Sequence, residues 1–279
     1  MEDIKRKGAR SAKDIPASVL EQLNKGEIET ANLVEWLAVN QTTLLGNLLK
    51  ESNRIQYLEP ILTDIRNLKK QTVNTINETI GTGILTESIL NNDSDILSIM
   101  ARHKSDVVRC WFAYTIGKNQ ELKIKAILKE MQFLSADKHF GVREISWLAI
   151  RSNIINNLEE SLEILLEWTF SEDENIRRFA TEATRPRGVW CEHIQKLKQE
   201  PELALKILNS LKSDPSKYVQ DSVGNWLNDA SKTRPDFVKD LCEKWEKQSP
   251  TKETLYIIKK ALRTIKNNLL YNFDIVFIQ

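Results

Sequence analysis

The sequence predicts an all-α fold in which helix pairs stack as an α-solenoid, and three observations carry that expectation. Glycine and proline are scarce, nine and seven in 279 residues, so little punctuates the chain. Apolar residues recur at three- and four-residue spacing, while the strict alternation of a half-buried strand is almost absent. Four helical segments also superpose. They open Asp106-Val-Val-Arg109, Phe140-Gly-Val-Arg143, Glu174-Asn-Ile-Arg177 and Lys217-Tyr-Val-Gln220. The three arginines are 34 residues apart and Gln220 follows after 43, which implies an insertion near 186–200.

Each segment follows another amphipathic one, for example Leu122–Leu134, Leu158–Thr169 and Leu203–Leu211. Two-helix units at this period are the mark of HEAT-like repeats. The expected organisation is a single HEAT-like-repeat domain over 1–279. Within it, 1–50 form an N-terminal helical unit, 51–267 the stacked pairs, and 268–279 an apolar tail of unassigned structure. Ile15–Leu49 reads as two or three short helices with Thr30 or Asn32 as a cap. Its polar lead, Lys5–Arg10, is either a solvated end or a group reaching phosphates. The connectors Ser171–Glu174 and Ser213–Ser216 offer N-cap residues to the second helix of their pairs.

The superposition separates two faces. Val108, Val142, Ile176 and Val219, with Trp111, Ile145 and Phe179, should point into the stack. Positions one, five and eight after the reference hold Glu144, Leu148 and Arg151, then Arg178, Glu182 and Arg185, then Asp221, Asn225 and Asn228. In a solenoid the second helices usually line one groove, so these polar residues are expected to share it. Trp36, Trp111, Trp168 and Trp245 fall in apolar stripes and read as core, whereas Trp147 and Trp190 lie near the polar face.

Composition narrows the function. Forty basic and 39 acidic residues give a net charge of +1, so binding a phosphate backbone would require the cations to be gathered on one face. No apolar run reaches the roughly 18–20 residues of a membrane span, and the charged N-terminus lacks a signal core. Cys110, Cys191 and Cys242 are too few and scattered for a disulfide framework. A cytoplasmic monomer without membrane contact is expected. Gly81-Thr-Gly83 lacks the context of a dinucleotide loop, no Walker A or G-x-S-x-G pattern occurs, and Cys191 with His193 make only two ligands. Neither a cofactor nor a metal is expected.

The densest chemistry lies in Asn175–Trp190, NIRRFATEATRPRGVW. Arg178, Glu182 and Arg185 share one helical face, opposite Ile176, Phe179, Ala180 and Ala183. Pro186 ends the helix and delivers Arg187 and Trp190 from a turn. A carboxylate among cations beside an indole suits chemistry on a nucleic-acid sugar. It equally suits a structural ion pair, and spacing leaves both open. Glu144, near Arg143 and Arg151, is open in the same way.

RRFATEATRPRGVW, HFGVREISWLAIR (139–151) and GEIETANLVEWLAV (26–39) resemble the HEAT-like-repeat alkylpurine DNA glycosylases, the AlkC branch more closely than AlkD, over most of residues 1–265. The resemblance implies hydrolysis of the N-glycosidic bond of alkylated, cationic bases in double-stranded DNA, as in base excision repair, by a protein acting in the cytoplasm at the nucleoid. It assigns Glu182 as the catalytic carboxylate, with Glu144 standing in for a second acid where this chain has Trp147. Trp190 and Trp147 would stack on the base. Arg151, Arg178, Arg185 and Arg187, with the groove residues Asn225 and Asn228, would hold DNA. The immunoglobulin-like C-terminal domain typical of AlkC is expected to be missing. The alternatives are a binder of damaged or branched DNA that excises nothing, and a protein-interaction solenoid.

Overall fold

Polar connectors with side-chain caps divide the chain into helices. A computed structural model describes residues 6–266, so Lys5 and the apolar tail 268–279 lie outside the described residues. In chain order the α-helices are α1 (Ala17–Lys25), α2 (Leu33–Ala38), α3 (Gln41–Glu51), α4 (Leu58–Arg66), α5 (Val73–Leu90) and α6 (Asp95–Ala101). There follow α7 (Asp106–Lys118), α8 (Ile124–Ser135), α9 (Phe140–Ala149), α10 (Arg151–Asn156), α11 (Leu158–Trp168) and α12 (Glu174–Glu182). The last are α13 (Gln195–Gln199), α14 (Leu205–Ser210), α15 (Lys217–Ala230), α16 (Pro235–Gln248) and α17 (Lys252–Ala261). No strand occurs among the described residues.

Caps follow the expected chemistry at α2 and α12, whereas Ser216 begins α15 without a side-chain cap bond. Asn32, not Thr30, caps α2 by accepting from Glu35 N, and Asp173 caps α12 through Asn175 N. Thr72 and Thr75 close a reciprocal capping box at α5.

The chain divides into two compact units. The first comprises residues up to 123 together with 137–150; the second comprises 124–136 and everything from 151 onward. In the first unit α5, α7 and α9 pack in that order, with α4 and α6 behind α5 and α7. Ile80, Ile84, Val108, Trp111, Val142 and Ile145 fill the core, and Trp111 Nε1 donates to Asn77 Oδ1 at 2.9 Å. A side chain at Gly81 or Gly117 would strike the carbonyl of Trp111 or Ala149, so these glycines set how closely α5, α7 and α9 approach. That close packing is what Gly81-Thr-Gly83 serves.

In the second unit α12, α15 and α17 pack in sequence, and α8, α11 and α14 form the layer behind. Val219, Phe179 and Trp226 are buried there. The expected inward row is thus internal, although Ile176 remains partly exposed.

The repeated reference residue has one job in both units. Arg109 Nη1 donates to the carbonyls of His103 and Lys104, six and five residues upstream, while Nε and Nη2 grip Asp137 of the next connector at 2.7 and 3.1 Å. Arg177 does the same with Ser171 O, Glu172 O and Asp214. Arg143 and Gln220 keep the upstream half of the pattern. Asp137 and Asp214 also accept the amide two residues on, from His139 and Ser216. Each charge-assisted bond of this kind contributes about 1.5–3 kcal/mol. In each unit one guanidinium–carboxylate fork thus ties the start of a second helix to the connector that follows it.

Candidate nucleic-acid interface and active site

In the second unit Asp173 starts α12, and Phe179, Ala180 and Ala183 bury its apolar face. The helix stops at Glu182, four residues before Pro186, and a turn carries the chain to Trp190. Glu182, in the last turn, is 4% exposed. Its carboxylate faces Arg185 Nη1 at 3.3 Å and Arg178 Nη2 at 3.7 Å. Arg185 then reaches across to α15, where Nε and Nη2 donate to Asp229 Oδ2 at 2.9 and 2.6 Å. Lys232 holds the other oxygen of Asp229 at 3.0 Å. Arg178 also stacks on the Tyr218 ring, 4.2 Å from its centroid. Two carboxylates and three cations thus form one continuous network.

The turn ends in an exposed aromatic group. Trp190 is 88% exposed and adopts φ 64°, the left-handed region a bulky residue rarely enters. Arg187 is half-buried, and its Nε is buried without a hydrogen-bond partner. Asn225 is half-buried on α15. Burial works against the charge of Asp221, yet Lys260 and Tyr256 bond to it and hold its carboxyl below the usual range. Burial pushes the Cys191 thiol up and the His193 imidazole down, so the two do not form an activated nucleophile and its base.

Three expectations need correction. Arg151 and Asn228 were expected to face DNA, but both are buried and committed inside the second unit. Arg151 donates to the carbonyls of Ala183, Arg185 and Glu192. Asn228 Oδ1 accepts from Thr264 N and Oγ1. Periodicity identified their face but not their depth. Trp147, expected to stack on a base, is 7% exposed in the first unit and donates through Nε1 to Glu144 Oε2 at 3.1 Å. Its ring has no free face to offer.

Glu144 belongs to the first unit and Glu182 to the second. Within the second unit Glu182, Arg178 and Arg185 come together as their spacing implied. Asp229 is the functional candidate that sequence reasoning missed. It lies four residues after Asn225, on the same stripe of α15, and that spacing was the available signal.

Among the described residues no group of three His, Cys, Asp or Glu side chains could hold a metal ion, and no helix is long and apolar enough to cross a membrane.

Residues 144–263 match the family described as DNA alkylation repair enzyme. That match covers 120 of the 279 residues, under half of the chain. The Bacillus subtilis protein YhaZ is 37% identical over 132 residues, which is 47% of this chain and 36% of that protein. Pseudomonas fluorescens AlkC, an alkylpurine DNA glycosylase solved bound to DNA containing an abasic-site analog, shares the fold at TM-score 0.63 and 21% identity. The similarity covers 92% of this chain and 65% of AlkC. Streptococcus mutans AlkD2 superposes at TM-score 0.55 and 25% identity, covering 75% of this chain and 97% of its own. The chain therefore spans about a third of its curated relative and under two thirds of AlkC.

Proposed function

We propose that the second unit binds DNA and hydrolyses the N-glycosidic bond of alkylated, cationic bases. The observation that carries this reading is the Glu182–Arg185–Asp229 network at the foot of a turn that holds Trp190 out in solvent. An N3- or N7-alkylated purine leaves as a neutral base, so no acid is needed to protonate it. Breaking the bond sends its electrons to the base and leaves positive charge on the sugar carbon. Carboxylates fixed nearby stabilise that charge and take the proton of the attacking water. Arg178 and Arg185 hold the Glu182 carboxylate in place for this role. Trp190 stacks on the cationic base, a contact of about 0.5–2 kcal/mol. Arg187 and Asn225 lie on the same side of the reading, as contacts to phosphate and sugar.

Charge distribution supports DNA binding despite the near-zero total. The outward positions of α11 are Glu159, Glu160, Glu163 and Glu167, all exposed. Arg178 and Arg185 stand on α12 and its turn, and Lys217 and Lys260 on α15 and α17. The test is release of methylated base from alkylated duplex DNA by the purified protein. Glu182→Gln and Asp229→Asn should each lower the rate by roughly 10²–10³-fold, with the helical circular dichroism retained. Unchanged release from Glu182→Gln would remove that carboxylate from the mechanism.

One observation favours a second reading. Glu182 is almost wholly buried and both its oxygens face guanidinium groups, as a structural ion pair would have them. On that reading the unit binds damaged or branched DNA in a salt-sensitive manner and releases no base.

A further inference from the structure

We infer that Arg151 is the positioning residue of this site, a buried fork that shapes the 183–192 turn and so sets where Trp190 stands. The inference rests on the glycosylase reading for its consequence, though not for its geometry. Arg151 opens α10 and is 3% exposed. Its Nη1 donates to Ala183 O at 2.7 Å, its Nη2 to Arg185 O at 2.5 Å and its Nε to Glu192 O at 3.1 Å. The three acceptors are main-chain carbonyls at both ends of one turn, and among the described residues no carboxylate is bonded to the guanidinium.

That choice of partners is informative. A buried cation is usually neutralised by a carboxylate. Here carbonyl dipoles just beyond the C-terminal end of α12 serve instead. A planar fork fixes the relative placement of several acceptors at once, which a point charge cannot do. The main chain also runs directly over the group. A side chain at Gly188 would strike Cys191 Sγ and come within 3.4 Å of Arg151 Nη2. Trp226 Nε1 donates to Thr184 O at 2.9 Å, and Ile194 N donates to Pro186 O at 3.1 Å, so the ends of the turn are anchored on either side of the fork. The left-handed backbone of Trp190 persists only where its surroundings over-determine it. The Arg151 fork supplies that constraint.

Two variants test this. Arg151→Met keeps the length of the stem and removes the fork; Arg151→Lys keeps the charge without the fork. Trypsin reports on the turn through the Arg187–Gly188 bond, because Pro186 protects the bond after Arg185. Cleavage after Arg187 should accelerate on the order of tenfold in both variants, relative to cleavage after Lys196 and Lys198. Single-turnover base release should fall by on the order of tenfold while the affinity for DNA changes less than about threefold. The lysine variant should not rescue either readout.

Equal acceleration at all three tryptic sites would mark general loosening and overturn the inference. So would unchanged cleavage accompanied by a shallower salt dependence of DNA binding, the sign of a phosphate contact. Should Arg151→Met fail to fold, the lysine variant decides. Should the wild-type protein release no base, the glycosylase reading fails on its own, and cleavage at Arg187 still decides the role of the fork.

Discussion

The repeat that carries Trp147 and the repeat that carries Trp190 start from the same cue, an acid on the second helix with an indole downstream, and end in opposite states. In the first unit α9 continues to Ala149, so Trp147 stays on the helix one turn from Glu144, buried and bonded to it. In the second unit α12 stops at Glu182, and the eight residues that follow lift Trp190 into solvent. What separates them is where the helix ends. An indole on a continuing helix becomes core, and one placed after a proline-led turn becomes surface.

Stability measurements can break this contrast. Trp147→Ala should cost the first unit about 3–5 kcal/mol as a large-to-small core change, measured by urea unfolding. Trp190→Ala should stay within about 0.5 kcal/mol, as an exposed substitution does. Comparable losses from the two would mean that Trp190 packs against something after all. A smaller effect is expected at Gly188→Ala, about 1–3 kcal/mol from overpacking against Cys191, read from the thermal midpoint.

Acid response sharpens the contrast further. In the first unit Arg54 and Tyr57 bond to Asp93, and the Arg54 guanidinium holds its carboxyl down at about 2. An unfolded aspartate titrates near ~3.9. The stability this adds is complete above that value and is lost as pH falls through about 2. Asp93→Asn should therefore flatten the acid limb between about pH 4 and 2. A denaturation series over that range, with an unaltered slope in the variant, would contradict the assignment. Trp190→Gly, by contrast, should gain about 1 kcal/mol by relieving the left-handed backbone. A loss instead would show that the indole contributes packing.

Much of this architecture was legible in the residues themselves. The 34-residue spacing of Arg109, Arg143 and Arg177 foretold the repeats because each arginine has a fixed task in its connector. The meeting of Arg178, Glu182 and Arg185 followed from helical spacing. Depth was not legible. Arg151 and Asn228 occupy the same periodic face as Arg178 and Asn225, yet their side chains end on hydrogen-bond partners 32 and 36 residues away. Long-range pairing of that kind leaves no local pattern. Asp229 escaped for a related reason, since its importance comes from Arg185, 44 residues earlier.

The two forks also explain where this chain could grow. Arg109 reaches an acid 28 residues ahead, whereas Arg177 reaches one 37 ahead, nine more, with the same two-pronged geometry. The additional length is absorbed beyond the helix, and the fork still closes, as a rung does. A scaffold that checks its register only at such rungs tolerates grafts between them, and a loop bearing new chemistry can be added without redesigning the frame.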